Sequence, residues 1–268
     1  MTQHIDYRGL RRSEAESYAR HFVPLIPAPL AADLIETAAP QPGEFAVDVA
    51  CGTGVVTRLV AERVGPTGKV VGVDLVQEML DVAAATPSSG APIDWRQGDA
   101  QSLPLPDESY DLALCQLGLM FFPDRSAALR EILRVLSPGG RFVVNVPAPM
   151  PRLFEIMGEA LGRHLDPGLA GFLRAVFSLG HAQLRDLLTD VGFHDVTIES
   201  ATKTLELPPP EVFLWRYLDV TPIAAVIREA DEDRRKALED DVVTQWQEFV
   251  DGDGLTLEVS VVTAAARR

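Results

Sequence analysis

Short, continuously apolar runs alternate with stretches of helical spacing through the first half of the chain. Glu44–Ala50 (EFAVDVA), Lys69–Asp74 (KVVGVD), Pro92–Gln97, Tyr110–Gln116 (YDLALCQ) and Arg141–Val146 (RFVVNV) read as strands. Runs this uniformly apolar suit strands covered on both faces. Between them, Val55–Val64, Val76–Ala85 and Asp124–Leu136 read as helices. In the second of these, Val76, Met79, Leu80 and Ala83 share a face. In the third, Ala128, Leu129, Ile132, Leu133 and Leu136 do. Gly65–Gly68 breaks the chain after the first helix, and Ser137-Pro138-Gly139-Gly140 stops the third as a structural turn. Strands that alternate with helices build βαβ units and a parallel sheet with right-handed crossovers.

The second half is less regular. Met150–Phe177 has helical spacing broken by Pro151, Pro167 and several glycines. A helix at His181–Val191 and a sixth strand at His194–Glu199 follow. Pro208-Pro209-Pro210 opens a helical segment to about Ile227, and a charged helix spans Asp231–Val250, most simply a solvated face. Leu255–Thr263 is a last strand of alternating character.

The chain carries 268 residues and a formal charge of -15, with a pI near 4.7. An acidic surface repels phosphate backbones and anionic headgroups, which disfavours nucleic acid and membrane partners. No apolar run approaches a membrane span. Met1–Arg12 has no apolar core of the kind a secretory signal needs. Cys51 and Cys115, the two cysteines, lie in strand-like segments and read as free thiols in a reducing compartment. A cytoplasmic location is expected, and a homodimer is left open.

Ligands of an open α/β sheet sit outside the C-terminal ends of its strands. Strand one ends in Ala50-Cys51-Gly52-Thr53-Gly54, whose glycines let a ligand approach the main chain. The helix that follows offers free N–H groups to a carboxylate. Asp74, about 20 residues on, can accept both hydroxyls of a ribose, or cap the next helix. Asp99, after strand three, can accept from the exocyclic amine of an adenine, or make a turn. Dinucleotide-binding loops carry a third glycine where this chain has Val55-Val56-Thr57. Asp48 inside strand one is unhelpful beside a phosphate and favourable beside the ammonium or sulfonium of adenosylmethionine.

VDVACGTG, GVDLVQEML, GDAQSLPLPDESYDLALCQ and RVLSPGGRFVV occur in that order. Together they resemble the motifs of class I S-adenosylmethionine-dependent methyltransferases, in particular the branch with the ubiquinone and menaquinone biosynthesis enzymes. The resemblance is strong over about Val47–Asn145 and weak at GFHDVTIES. It departs at Ala50, where many members carry glycine; alanine fits there if φ stays negative. It implies a Rossmann-like, seven-stranded, mostly parallel sheet with an antiparallel last strand, helices on both faces and helical lid insertions. The single domain divides into an N-terminal helical cap (1–42), a cofactor-binding core (43–147), lid insertions (148–180 and 207–252) and the rest of the sheet (181–206 and 253–268).

The same resemblance implies site roles. Asp48, Ala50, Gly52 and Gly54 line the methionine part of the cofactor, and Asp74 holds the ribose, so that replacing it costs affinity with little change in folding. Leu75 and Met79 pack on the adenine, whose edge Asp99 and the Ala100 N–H read. Gln116 stands beside the methyl-transfer face, and Tyr18 closes over the methionine carboxylate. The activity implied is methyl transfer to a small, partly apolar metabolite at an oxygen, nitrogen or carbon. Phe121-Phe122, Leu153, Phe154, Met157, Phe172, Phe177, Phe213 and Trp215 line its pocket or belong to the core. His181, His164 and His21 are candidate bases; His194 stands away from the site, and His4 lies in the N-terminal tail. No cluster has metal-ligand spacing. Two alternatives stand beside this reading: a protein that binds the cofactor without transferring methyl, and a nicotinamide-dependent oxidoreductase.

Overall fold

The computed structural model describes residues 10–268 other than 222; His4 lies outside them. β1 (Phe45–Val49), β2 (Lys69–Asp74), β3 (Ile93–Gln97), β4 (Tyr110–Gln116) and β5 (Leu136–Pro147) run parallel. β8 (Gly254–Arg267) lies antiparallel between β5 and β6 (His194–Leu207). The order is β3-β2-β1-β4-β5-β8-β6, with a two-residue β7 (Val250–Asp251) paired to β8. The sheet therefore holds eight strands where seven were expected, because β7 is too short to carry a hydrophobic pattern.

Pleat parity sorts the strand residues between two helical layers. α2 (Pro27–Ala38) and α3 (Val55–Val64) cover Ala46, Val70, Leu112, Leu114 and Val143. α5 (Arg125–Val135) and α8 (His181–Asp190) cover the opposite face, with Val47, Val49, Ala113, Cys115 and Val144. α1 (Arg12–Ser17) packs against α4 (Gln77–Ala85) at the far edge. Ser137–Gly140 is a bulged start to β5 rather than a separate turn. The register jumps from Tyr110↔Leu136 to Leu112↔Arg141, and Gly139 takes a φ of 81° to allow it.

The two antiparallel strands run longer than their sequence pattern indicates. β6 continues from Glu199 to Leu207, and β8 starts at Gly254 and ends at Arg267. β5 follows β8 only as far as Pro147↔Val261, whereas β6 and β8 stay paired to Leu207↔Leu255. The overhanging ribbon carries Leu205, Leu207, Leu255, Leu257 and Val259 into a second core. Exposed Thr202, Thr204 and Glu206 on β6 hide this from a search for apolar runs.

That second core is built on the ribbon by α6 (Arg152–His164), α7 (Pro167–Val176), α9 (Pro210–Asp219), α10 (Ala224–Glu229) and α11 (Glu232–Trp246). Leu153, Phe154, Met157 and Phe213 are buried in it, so these four are core rather than pocket wall. Phe172 and Phe177 are half-buried and touch both cores, as does Leu117. Trp215 is half-buried, and its indole N–H donates to Glu239. Burial of each large apolar side chain is worth about 1.5–3 kcal/mol, so the insertions are cohesive bodies and not loose coverings.

Candidate functional site: the glycine loop and the cleft beside it

Asp48, Gly72 and Trp95 are register partners across β1, β2 and β3, so their side-chain positions share one face. Trp95 spreads over the gap that Gly72 leaves. A Cβ on Gly72 would stand 2.6 Å from the indole ring, and one on Gly54 only 2.4 Å from it. Gly54, at φ 80°, caps α3, so the indole wedges beneath the loop where the chain turns from β1 into α3. Nothing in the loop motif announces Trp95. The available signal was a lone glycine inside an apolar strand, which marks a close approach.

Asp48 is 1% exposed and sits below the loop, not along its open side. Its Oδ2 accepts a 2.6 Å hydrogen bond from the Thr57 hydroxyl of α3. The expected lining role thus falls on a buried acid held by α3. Burial pushes its pKa from the ordinary 3.8 to about 7, assisted by nearby Asp74 and opposed by Thr57 and Arg58. Folding thus favours a proton on Asp48. The stability this proton brings is complete below pH ~4 and is lost as pH rises through 7. Urea unfolding at pH 5 and pH 8 should show a wild-type loss of about 2–3 kcal/mol from this group. Asp48→Asn should flatten that slope; equal slopes in the two proteins would exclude the effect.

Asp74 ties the loop to the next crossover. Its Oδ2 accepts from the Gly52 N–H at 2.7 Å and its Oδ1 from the Val76 N–H at 2.9 Å. Burial raises its pKa, while the N–H groups of Val76, Gly52 and Leu75 pull it back. A carboxylate has about four acceptor positions, so two remain for hydroxyl donors. Ala50 takes a φ of 59°, against the expected negative value, and Gly52 takes 53°. The chain accepts a left-handed alanine because Cys51 N–H is fixed on the Val73 carbonyl and Gly52 N–H on Asp74.

Beside Asp74 opens a cleft of about 400 Å³ lined by Leu75, Val76, Gln77, Gln97, Gly98 and Asp99. Asp99 belongs to this wall, and its Oδ1 accepts from the backbone and side-chain N–H groups of Gln101. It makes a turn and lines the cleft at once. Met79 is half-buried on α4, and Ala100 is buried. Tyr18, in a π-helical stretch at Tyr18–Phe22, brings its ring within 4.0 Å of where a Gly52 Cβ would stand. Burial, then proximity to Asp74, raises its phenol pKa. Gln116 donates from Nε2 to the Pro27 carbonyl, tying the end of β4 to α2.

The histidines do not converge on the loop. His181 Nε2 pairs with the Ser200 hydroxyl on edge strand β6. His164 pairs with Asp241, joining α6 to α11. His21, at Ser17, is the one on the N-terminal segment that carries Tyr18. Among the described residues no His, Cys, Asp or Glu group is arranged to hold a metal. Cys51 and Cys115 are free and buried.

This geometry meets a clear kinship. The family described as Methyltransferase domain matches residues 47–144, the stretch that carries the loop, Asp74 and Asp99. A demethylmenaquinone methyltransferase of Staphylococcus aureus is 43% identical over 173 residues, 60% of this chain and 72% of that protein. The chain belongs to the S-adenosylmethionine-dependent methyltransferases. A 2-phytyl-1,4-naphtoquinone methyltransferase of Synechococcus elongatus is 40% identical over 141 residues, 51% of this methyltransferase and 60% of that one. The fold also resembles phosphoethanolamine N-methyltransferase 2 of Haemonchus contortus in complex with S-adenosyl-L-methionine, at a TM-score of 0.60 and 16% identity. That likeness covers 100% of this chain and 59% of the other. A left-handed Gly52 beneath the Tyr18 ring, a carboxylate with acceptor positions to spare and a cleft ending at Asp99 fit the cofactor. The nicotinamide reading has no support in these relatives. No helix among the described residues is long and apolar enough to cross a membrane.

Proposed function

We propose that this methyltransferase alkylates a small, flat, partly apolar acceptor of the quinol type, held between the sheet and the helical insertions. The observation that carries the reading is the seam where Leu117, Phe172 and Phe177, all half-buried, belong to both cores. Leu117 directly follows the C-terminal end of β4. Phe121 and Phe122 pack against the sheet core, and Phe22 and Met150 against the core of the insertions. The relatives named for demethylmenaquinone and phytyl-naphthoquinone act on acceptors of this shape. Segments 1–42, 148–180 and 207–252 then act as cap and lid.

In this reading Gly52 and Gly54 give main-chain access to the amino-acid end of the cofactor, with Ala50 beside them and Tyr18 above. Asp74 takes the ribose hydroxyls, while Leu75, Met79, Asp99 and Ala100 surround the adenine. The bound cofactor supplies an electrophilic methyl on a sulfonium. The chain's own task is alignment and exclusion of water. Asp48 contributes negative potential from below when it is ionised.

Calorimetry should show micromolar binding of S-adenosylhomocysteine and none of NAD. With methyl-labelled cofactor and a reduced demethylmenaquinone bearing a short prenyl chain, the product should gain one labelled methyl. Cofactor binding without transfer to this quinol would refute the acceptor class and leave the cofactor assignment standing.

A further inference from the structure

Two braced turns meet beside the glycine loop. The first is at Ala50, held left-handed by the backbone bonds of Cys51 and Gly52. The second is at 116–118, where the chain leaves β4 for the short helical turn Leu119–Phe121. Leu117 takes a φ of 51° there. Its N–H donates to the Asn145 carbonyl at 3.1 Å and to Asn145 Oδ1 at 3.2 Å. Asn145 is fully buried on β5, and its Nδ2 finds no partner among the described residues. An unpaired buried donor is unfavourable, so the grip of its oxygen on Leu117 is what the amide contributes. Gln116 adds a third tie, from Nε2 to the Pro27 carbonyl at 2.9 Å.

Gly118 is buried where the two turns touch. Its backbone sits at φ -104° and ψ -41°, a right-handed conformation open to any residue. Backbone freedom therefore does not explain the glycine, and space does. A Cβ at 118 would stand 2.8 Å from the Ala50 Cβ and 2.9 Å from Cys115 Sγ. Non-bonded carbons prefer a separation of about 3.5–4.0 Å. The thiol has a side-chain torsion about which to turn. The Ala50 methyl has none, and its backbone is pinned, so it is the neighbour that cannot give way.

We propose that Gly118 is a positioning residue: it receives the Ala50 methyl and so sets the spacing between the cofactor loop and the turn that carries Leu117. The loop end of this contact rests on the family's cofactor. The Leu117 end rests on the acceptor seam proposed above and deepens it, because the contact then fixes how far the acceptor stands from the methyl donor. Methyl transfer is an in-line displacement, whose rate depends on alignment at the ångström scale. A methyl group added at 118 drives the two turns apart, and removal of the methyl at 50 makes room for it.

Calorimetry with S-adenosylhomocysteine on the full chain reads the loop end, through Gly118→Ala, Ala50→Gly and the double variant. Gly118→Ala should bind at least tenfold more weakly than wild type, measured well below its melting temperature. Ala50→Gly alone should lose about two- to threefold, since it gives the loop glycine's freedom. The double variant should bind within threefold of Ala50→Gly, the non-additivity expected of two groups in contact. Wild-type affinity in Gly118→Ala overturns the proposal. So do losses that multiply in the double variant, because the added methyl then acts elsewhere. Should Gly118→Ala fail to fold, the double variant should fold and bind in the same range, and its failure to fold also overturns the proposal. Labelled methyl transfer to the short-chain demethylmenaquinol reads the Leu117 end: kcat should fall at least tenfold in Gly118→Ala and recover in the double variant. A purely structural Gly118 would lower the melting temperature and leave affinity and kcat unmoved. A wild type inactive on this quinol removes the Leu117 end together with the acceptor reading, while the affinity cycle still decides the loop end.

Discussion

Gly54→Ala should unfold or nearly unfold the loop region and abolish S-adenosylhomocysteine binding. The substituted residue would have to hold a φ of 80°, a left-handed conformation that costs an alanine about 1–2 kcal/mol. Its Cβ would also stand 2.4 and 2.9 Å from two atoms of the Trp95 ring. Overpacking of this kind costs a further ~1–3 kcal/mol, and the ring cannot step aside while Gly72 lies directly beneath it. A total loss of roughly 2–5 kcal/mol is expected from urea denaturation. Trp95→Ala creates a cavity and is destabilising by itself. The two substitutions together should nevertheless cost ~1–3 kcal/mol less than the sum of the singles, because the cavity accommodates the new methyl. Strict additivity would show that Trp95 is not the wedge.

Asp74→Ala should lower cofactor affinity by at least tenfold, and it should also lower stability. The second effect departs from what the motif alone suggests. The carboxylate holds Gly52 N–H at 2.7 Å and Val76 N–H at 2.9 Å before any ligand arrives. Hydrogen bonds to a charged group are worth about 1.5–3 kcal/mol each, and the half-buried Gly52 can recover part of the loss from water. Asp74→Asn keeps one acceptor oxygen and should fall between wild type and alanine in both measurements. Calorimetry with S-adenosylhomocysteine reads the affinity, and thermal melting reads the fold. An alanine variant with wild-type affinity would leave Asp74 as a loop staple alone.

The two substitutions probe one construction from opposite sides. Trp95 supports the glycine loop from beneath, through the helix-facing side of β1–β3, and Asp74 ties it down from the strand end. A loop held twice can keep Ala50 left-handed at φ 59° without glycine's freedom. That is why the motif tolerates its departure from the family pattern.

The sequence by itself determined the parallel half of the sheet, the crossovers and the position of the loop, Asp74 and Asp99. Periods of apolar residues and glycine punctuation are local signals, and each strand from β1 to β4 lies within them to a residue or so at either end. Lengths of β6 and β8 were settled by tertiary structure. Their ends pair only with each other and bury alternate residues against distant helices, so neither run looks apolar alone. The same holds for Leu153, Phe154, Met157 and Phe213, whose helical spacing suits a pocket wall and a core equally until a second layer covers them. Asp48 was legible as an unusual acid, yet strand parity and the arrival of Thr57 decided that it lies under the loop. Trp95 gained its significance only in three dimensions, where it answers a glycine on the neighbouring strand.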